Sequence, residues 1–72
     1  MENIVKKEVI NLLGNNSKGL SITELVAISG YSRSLMRIVL AMLEGSREIS
    51  FRQAGMTKLY YLIEGGQDEK NK

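Results

Sequence analysis

Four cations in the middle of the chain stand where they could hold a polyanion: Arg33, Arg37, Arg52 and Lys58. Arg33 and Arg37 are four residues apart, the spacing that brings two side chains to one face of a helix. A guanidinium so placed could take a phosphate, or pair bidentately with the edge of a guanine. Ser32, Ser34 and Gln53 sit beside these cations and add neutral hydrogen-bonding groups to the same stretches. The competing reading is a solvated surface, with Arg37 paired to a carboxylate such as Glu44. The distribution of charge is what a polyanion-binding surface requires. The net charge is only +2, but residues 33–58 carry a local +3 while residues 1–32 balance.

Other chemistries are poorly served. The chain has no cysteine and no histidine, so disulfides, thiolate metal sites, imidazole catalysis and most zinc sites are ruled out. It has no glycine-rich phosphate loop and no close carboxylate pair in a plausible cleft, and Gly65-Gly66 reads as a flexible exit. Glu24 is better explained as a helix cap than as a general base. The expectation is a protein that is not an enzyme, with no metal and no small-molecule cofactor.

The elements that must position the cations can be read from caps and periodicity. Ser21 and Glu24 have the capping-box spacing, and Leu25, Val26 and Ile28 supply the apolar positions of a short helix, residues 22–29. Gly30 can end it in the left-handed conformation. Ser32 can cap the next helix at once, which leaves Gly30 and Tyr31 to turn the corner. Two capped helices on so short a connection form a crossed pair, the helix-turn-helix.

That next helix, residues 33–44, places Met36, Val39, Leu40 and Leu43 inward and Arg33, Ser34, Arg37 and Ala41 outward, together with Leu35 or Ile38. Gly45 and Ser46 end it. Upstream, Ile4, Val5, Val9, Leu12 and Leu13 make the stripe of a first helix over residues 3–13, stopped by Gly14 and Asn15-Asn16-Ser17. Downstream, Arg47–Gln53 alternates, with Ile49 and Phe51 on one face. Ala54-Gly55 makes a turn, and Thr57–Ile63 returns as a strand whose inward set is either Tyr60 and Leu62 or Leu59, Tyr61 and Ile63. Lys18 to Ile22 is too short for a stable hairpin by itself.

The run Glu24-Leu25-Val26, then Ser29-Gly30-Tyr31-Ser32-Arg33-Ser34, then Leu40 and Leu43-Glu44, resembles the helix-turn-helix of small winged-helix transcriptional regulators. Ile49 to Phe51 and Gly55-Met56-Thr57-Lys58-Leu59-Tyr60-Tyr61-Leu62 look like the two-stranded wing of that family. The Gly-x-x-Lys-x-Tyr-Tyr-Leu pattern is similar to that of archaeal members. The likeness covers about residues 4–63 and takes its specificity from the order and spacing of the motifs. It implies an α+β winged-helix fold over residues 1–64 and a regulator that grips double-stranded DNA with the third helix and the wing. On this chain it implies DNA contacts from Ser32, Arg33, Ser34, Arg37, Arg52, Gln53 and Lys58. The chain departs from the family in one respect: between Leu35 and Leu43 the only charged side chain is Arg37.

A helix apolar most of the way round is usually buried on a second side. The third helix and the last strand therefore predict a homodimer, and a protein-interaction module without specific DNA binding is the alternative function. Residues 65–72 have no periodicity and predict a disordered charged tail. Charges at Glu2, Lys6, Lys7 and Glu8 are unlike a signal peptide, and no apolar run approaches the ~18 residues of a membrane span. The expected setting is soluble and cytoplasmic.

Overall fold

The computed structural model describes residues 2–63. Three helices, α1 (Glu2–Gly14), α2 (Ile22–Ser29) and α3 (Arg33–Gly45), precede two strands, β1 (Ile49–Ala54) and β2 (Thr57–Leu62). The strands pair antiparallel, with Ile49 opposite Leu62 and Ala54 opposite Thr57. This is the α+β winged-helix layout that the caps and alternation predict. The tail expected at residues 65–72 lies outside the described residues.

The helix pair is built by its caps. Ser21 and Glu24 exchange both capping-box bonds: the Ser21 N–H donates to Glu24 Oε1 at 2.9 Å and the Glu24 N–H to Ser21 Oγ at 3.1 Å. Gly30 takes φ 83° and its N–H donates to the Val26 carbonyl. Ser32 Oγ accepts from the Leu35 N–H at 3.1 Å and starts α3 two residues later. Across that connection the helix axes turn through 117°.

One core joins the elements: Val5, Val9 and Leu13 from α1, Leu25 from α2, Met36, Val39, Leu40 and Leu43 from α3, with Leu20, Ile49 and Tyr60. At about 1.5–3 kcal/mol for each fully buried aliphatic side chain, this cluster is what holds so short a chain together. The inward set of the last strand is Tyr60 and Leu62, on the same sheet face as Ile49 and Phe51. The inward set expected for α3 is the buried one. Tyr31, half-buried at the hinge, stands beside α1; burial first, then the charge of Glu8 and a hydrogen bond to it, raises its phenol above the ordinary 10.

Three local expectations fail, each for a tertiary or capping reason. Ile4 and Ile28 fit their helical stripes but are 59% and 55% exposed; each lies on the flank of a short helix whose inner positions already meet the core. Strand β1 begins at Ile49 and not Arg47. Arg47 instead takes φ 64° and completes a Schellman cap of α3, its N–H donating to the Glu44 carbonyl at 3.0 Å and that of Glu48 to Leu43 at 2.9 Å. Gly45 and Ser46 do end the helix as expected, as its last residue and its C-cap. The hairpin turn is Gly55-Met56, because Ala54 still pairs with Thr57; Gly55 holds φ 67° at the first central position, the sign a type II′ turn needs there.

A third strand of one residue completes the sheet. Leu20 and Tyr60 exchange both backbone hydrogen bonds, at 3.0 and 2.8 Å. The approach is so close that a Cβ on Gly19 would lie 2.9 Å from the Tyr60 carbonyl oxygen, and Gly19 itself has φ 97°. Only glycine fits there.

Candidate nucleic-acid interface

The first two turns of α3 present Arg33, Ser34 and Arg37 to solvent. Their direction is set from the other side of the helix, where Met36, Val39, Leu40 and Leu43 are at most 2% exposed. The 3.6-residue repeat then puts Arg33 and Arg37 along one edge of α3 and Leu35, Ile38 and Met42 along the other. Arg33 Nη2 donates to Thr23 Oγ1 of α2 at 3.0 Å, which holds the guanidinium in place while its remaining N–H donors stay available. Ser32 is exposed, but its hydroxyl oxygen is engaged as the cap. Ser32 thus orders the start of the helix that carries the arginines.

On the hairpin the register separates the expected residues. Gln53 and Lys58 are direct cross-strand partners on the face that continues down to Phe51 and Tyr60. Lys58 Nζ lies 4.2 Å from the centroid of the Phe51 ring, which itself stands 5.9 Å from that of Tyr60. This cation–π contact directs the ammonium while leaving its other side to solvent. Gln53 Nε2 donates to the Gly55 carbonyl at 3.5 Å. Arg52 pairs with Leu59 and lies on the opposite face, where its Nη2 donates to the Lys18 carbonyl at 3.1 Å. The expectation that Arg52 and Lys58 bracket the wing tip as one surface meets this difference: alternation along a strand sends neighbours such as Arg52 and Gln53 to opposite sides.

Between the start of α2 and the wing lies an open cleft of about 450 Å³ lined by Ser21, Thr23, Thr57, Lys58 and Tyr60. Thr23 is also the partner of Arg33, so Lys58 stands on one side of the cleft and the arginine edge of α3 adjoins the other. The first turn of α2, between them, carries the Glu24 carboxylate of the capping box, which offsets the partial positive charge of the helix N-terminus. Arg33, through Thr23, and Lys58 thus flank the same cleft, and Arg37 lies one turn further along the same edge of α3 as Arg33. Arg47, part of the local charge excess, is at the far end of α3 and stands apart from them.

Among the described residues no polar or charged side chain is buried, and no three carboxylates come together as a metal site. The polar side chains described thus stand at or near the surface. Sequence reasoning missed Thr23 and Phe51, the residues that orient Arg33 and Lys58. No local signal could have found either, because each acts across a turn. No single helix among the described residues is long and apolar enough to cross a membrane. Searches against family models, curated proteins and solved structures find no match to this chain.

Proposed function

We propose that this chain is a DNA-binding winged-helix protein, a transcriptional regulator that grips duplex DNA with α3 and the wing. What supports the reading is the core-anchored arginine edge of α3, whose Arg33 is held by Thr23 on the cleft that Lys58 also lines. In this reading the N-terminal half of α3 enters the major groove, Arg33 and Arg37 meet phosphates at its edges, and Lys58 and Gln53 meet the neighbouring backbone. Only Ser34, Arg37 and Ala41 are left to face base edges. That composition favours phosphate gripping with weak sequence preference. A cytoplasmic location accompanies this role.

Homodimerisation belongs to the same proposal, since two linked half-sites raise the affinity of a small domain. Ile38 and Met42, 50% and 39% exposed on the edge of α3 away from the arginines, support it. Sedimentation at micromolar concentration should show a dimer, and a clean monomer would count against it. The same apolar edge is what favours the second reading, a protein-interaction module. Titration of a random-sequence duplex across a salt series separates the two. Counterion release makes affinity for DNA fall steeply as salt rises; absence of duplex binding at low salt would leave the protein-interaction reading.

A further inference from the structure

Besides its share in the core, the wing is joined to the segment between α1 and α2, and one of those links is made by the Arg52 side chain. Leu20 pairs with the outer edge of β2, so the sheet order is the Leu20 segment, β2, then β1. Arg52 is on β1 and its hydrogen-bond acceptor, the Lys18 carbonyl, belongs to the Leu20 segment. To reach it the side chain must pass over β2 at the level of its cross-strand partner Leu59. The same Leu59 has its Cβ 3.3 Å from where a Cβ on Gly19 would be. Arg52 thus spans all three strands on the sheet face opposite Lys58.

We infer that Arg52 is a positioning residue, a strap that fixes the wing against the α1–α2 loop, and not a phosphate contact. One guanidinium N–H is engaged on protein, as in Arg33, but Arg52 stands on the sheet face away from Lys58 and reaches back over the strand pairing that sets the direction of the hairpin. The inference rests on the DNA reading for its consequence, since it is Lys58 and Gln53 that the strap aims. Its structural half stands without DNA.

Two measurements on the full chain separate these. Duplex affinity over a salt series distinguishes a strap from a contact, because the slope counts neutralised phosphates. Arg52→Ala should weaken binding by about threefold to tenfold at every salt concentration with the slope unchanged, whereas Lys58→Ala should flatten the slope by about one unit. Arg52→Lys, which keeps most of the reach and a donor, should recover part of the affinity. Amide hydrogen exchange reads the strap directly. Removing one hydrogen bond should speed exchange at the Leu20 and Tyr60 amides about fivefold in Arg52→Ala, with the α3 amides unchanged and no such change in Lys58→Ala. The inference is overturned if Arg52→Ala flattens the slope as Lys58→Ala does, or if Leu20 and Tyr60 exchange as in the parent. Failure of the parent to bind any duplex would remove the DNA reading and leave the exchange result to decide the strap.

Discussion

The two halves of the proposed interface are held in place by different physics. On α3 the arginines stand on a helix whose inner face is sealed by Met36, Val39, Leu40 and Leu43. Their direction follows from the core, and Thr23 adds only a local tether to Arg33. On the hairpin the inner positions fade toward the tip. Ile49 is 1% exposed, Phe51 is half-buried and Gln53 is exposed. Lys58 is directed by a ring beneath it, and the strands are tied back through Leu20, Gly19 and the Arg52 strap. The helical half is a platform made by hydrophobic burial; the hairpin shares that burial at its base through Ile49 and Tyr60, and only toward its tip does its course depend on a few separate contacts. The same cation type can therefore be robust to mutation in one half and sensitive to distant changes in the other.

The largest effect tests the platform. Leu43→Ala opens the sealed face of α3 and should destabilise the domain by about 2–5 kcal/mol, read from denaturant unfolding. In a chain with one small core that approaches the whole stability, so folding and the placement of Arg33 and Arg37 should fail together. A destabilisation below ~1 kcal/mol would mean the arginine edge is not core-anchored, and the contrast between the halves would collapse.

A smaller effect should appear at the root of the hairpin. Gly19→Ala places a methyl group against the Tyr60 carbonyl at a backbone conformation that L-residues avoid. It should destabilise by more than about 1 kcal/mol, with hydrogen exchange faster first in β2 and the Leu20 segment. Equal loosening of α3 would contradict the separation of the two halves. The smallest expected change is a gain. Arg47 holds the left-handed position of the Schellman cap with φ 64°, so Arg47→Gly should stabilise by about 0.5–1 kcal/mol in thermal or denaturant unfolding. Because Arg47 lies away from the interface, duplex affinity at moderate salt should scarcely move. A marked weakening would show that it touches DNA after all.

What was legible in the sequence follows the same division. The α2–α3 pair could be read almost to the residue because its determinants are local: Ser21 with Glu24, Gly30 and Ser32 each act within three or four residues of their partners. The inward stripe of α3 was equally legible, since a thirteen-residue helix displays its period. The end of α3 was legible at Gly45 and Ser46, but the left-handed position beyond them falls on Arg47, a residue type that gives no signal for it. Ile4 and Ile28 were misread because periodicity identifies a stripe but not how far the neighbouring element covers it. The candidate cations were visible by type, yet their grouping was not. Alternation alone separates Arg52 from Gln53, but only the register shows that Lys58 goes with Gln53 and that Arg52 crosses to Lys18, thirty-four residues earlier.

The idea that Arg33, Arg37 and Lys58 form one phosphate-gripping surface is tested most directly by replacing all three. The triple variant Arg33→Ala, Arg37→Ala, Lys58→Ala would be checked for folding by its helical circular dichroism. It would then be titrated with a random-sequence duplex beside the parent across a salt series. All three residues are exposed, so the fold should survive. Binding should weaken at low salt, and the slope of log affinity against log salt should flatten by about 2.7 units, roughly 0.9 for each phosphate no longer neutralised. A folded triple variant that binds the duplex as tightly as the parent, with the same slope, would contradict the shared surface.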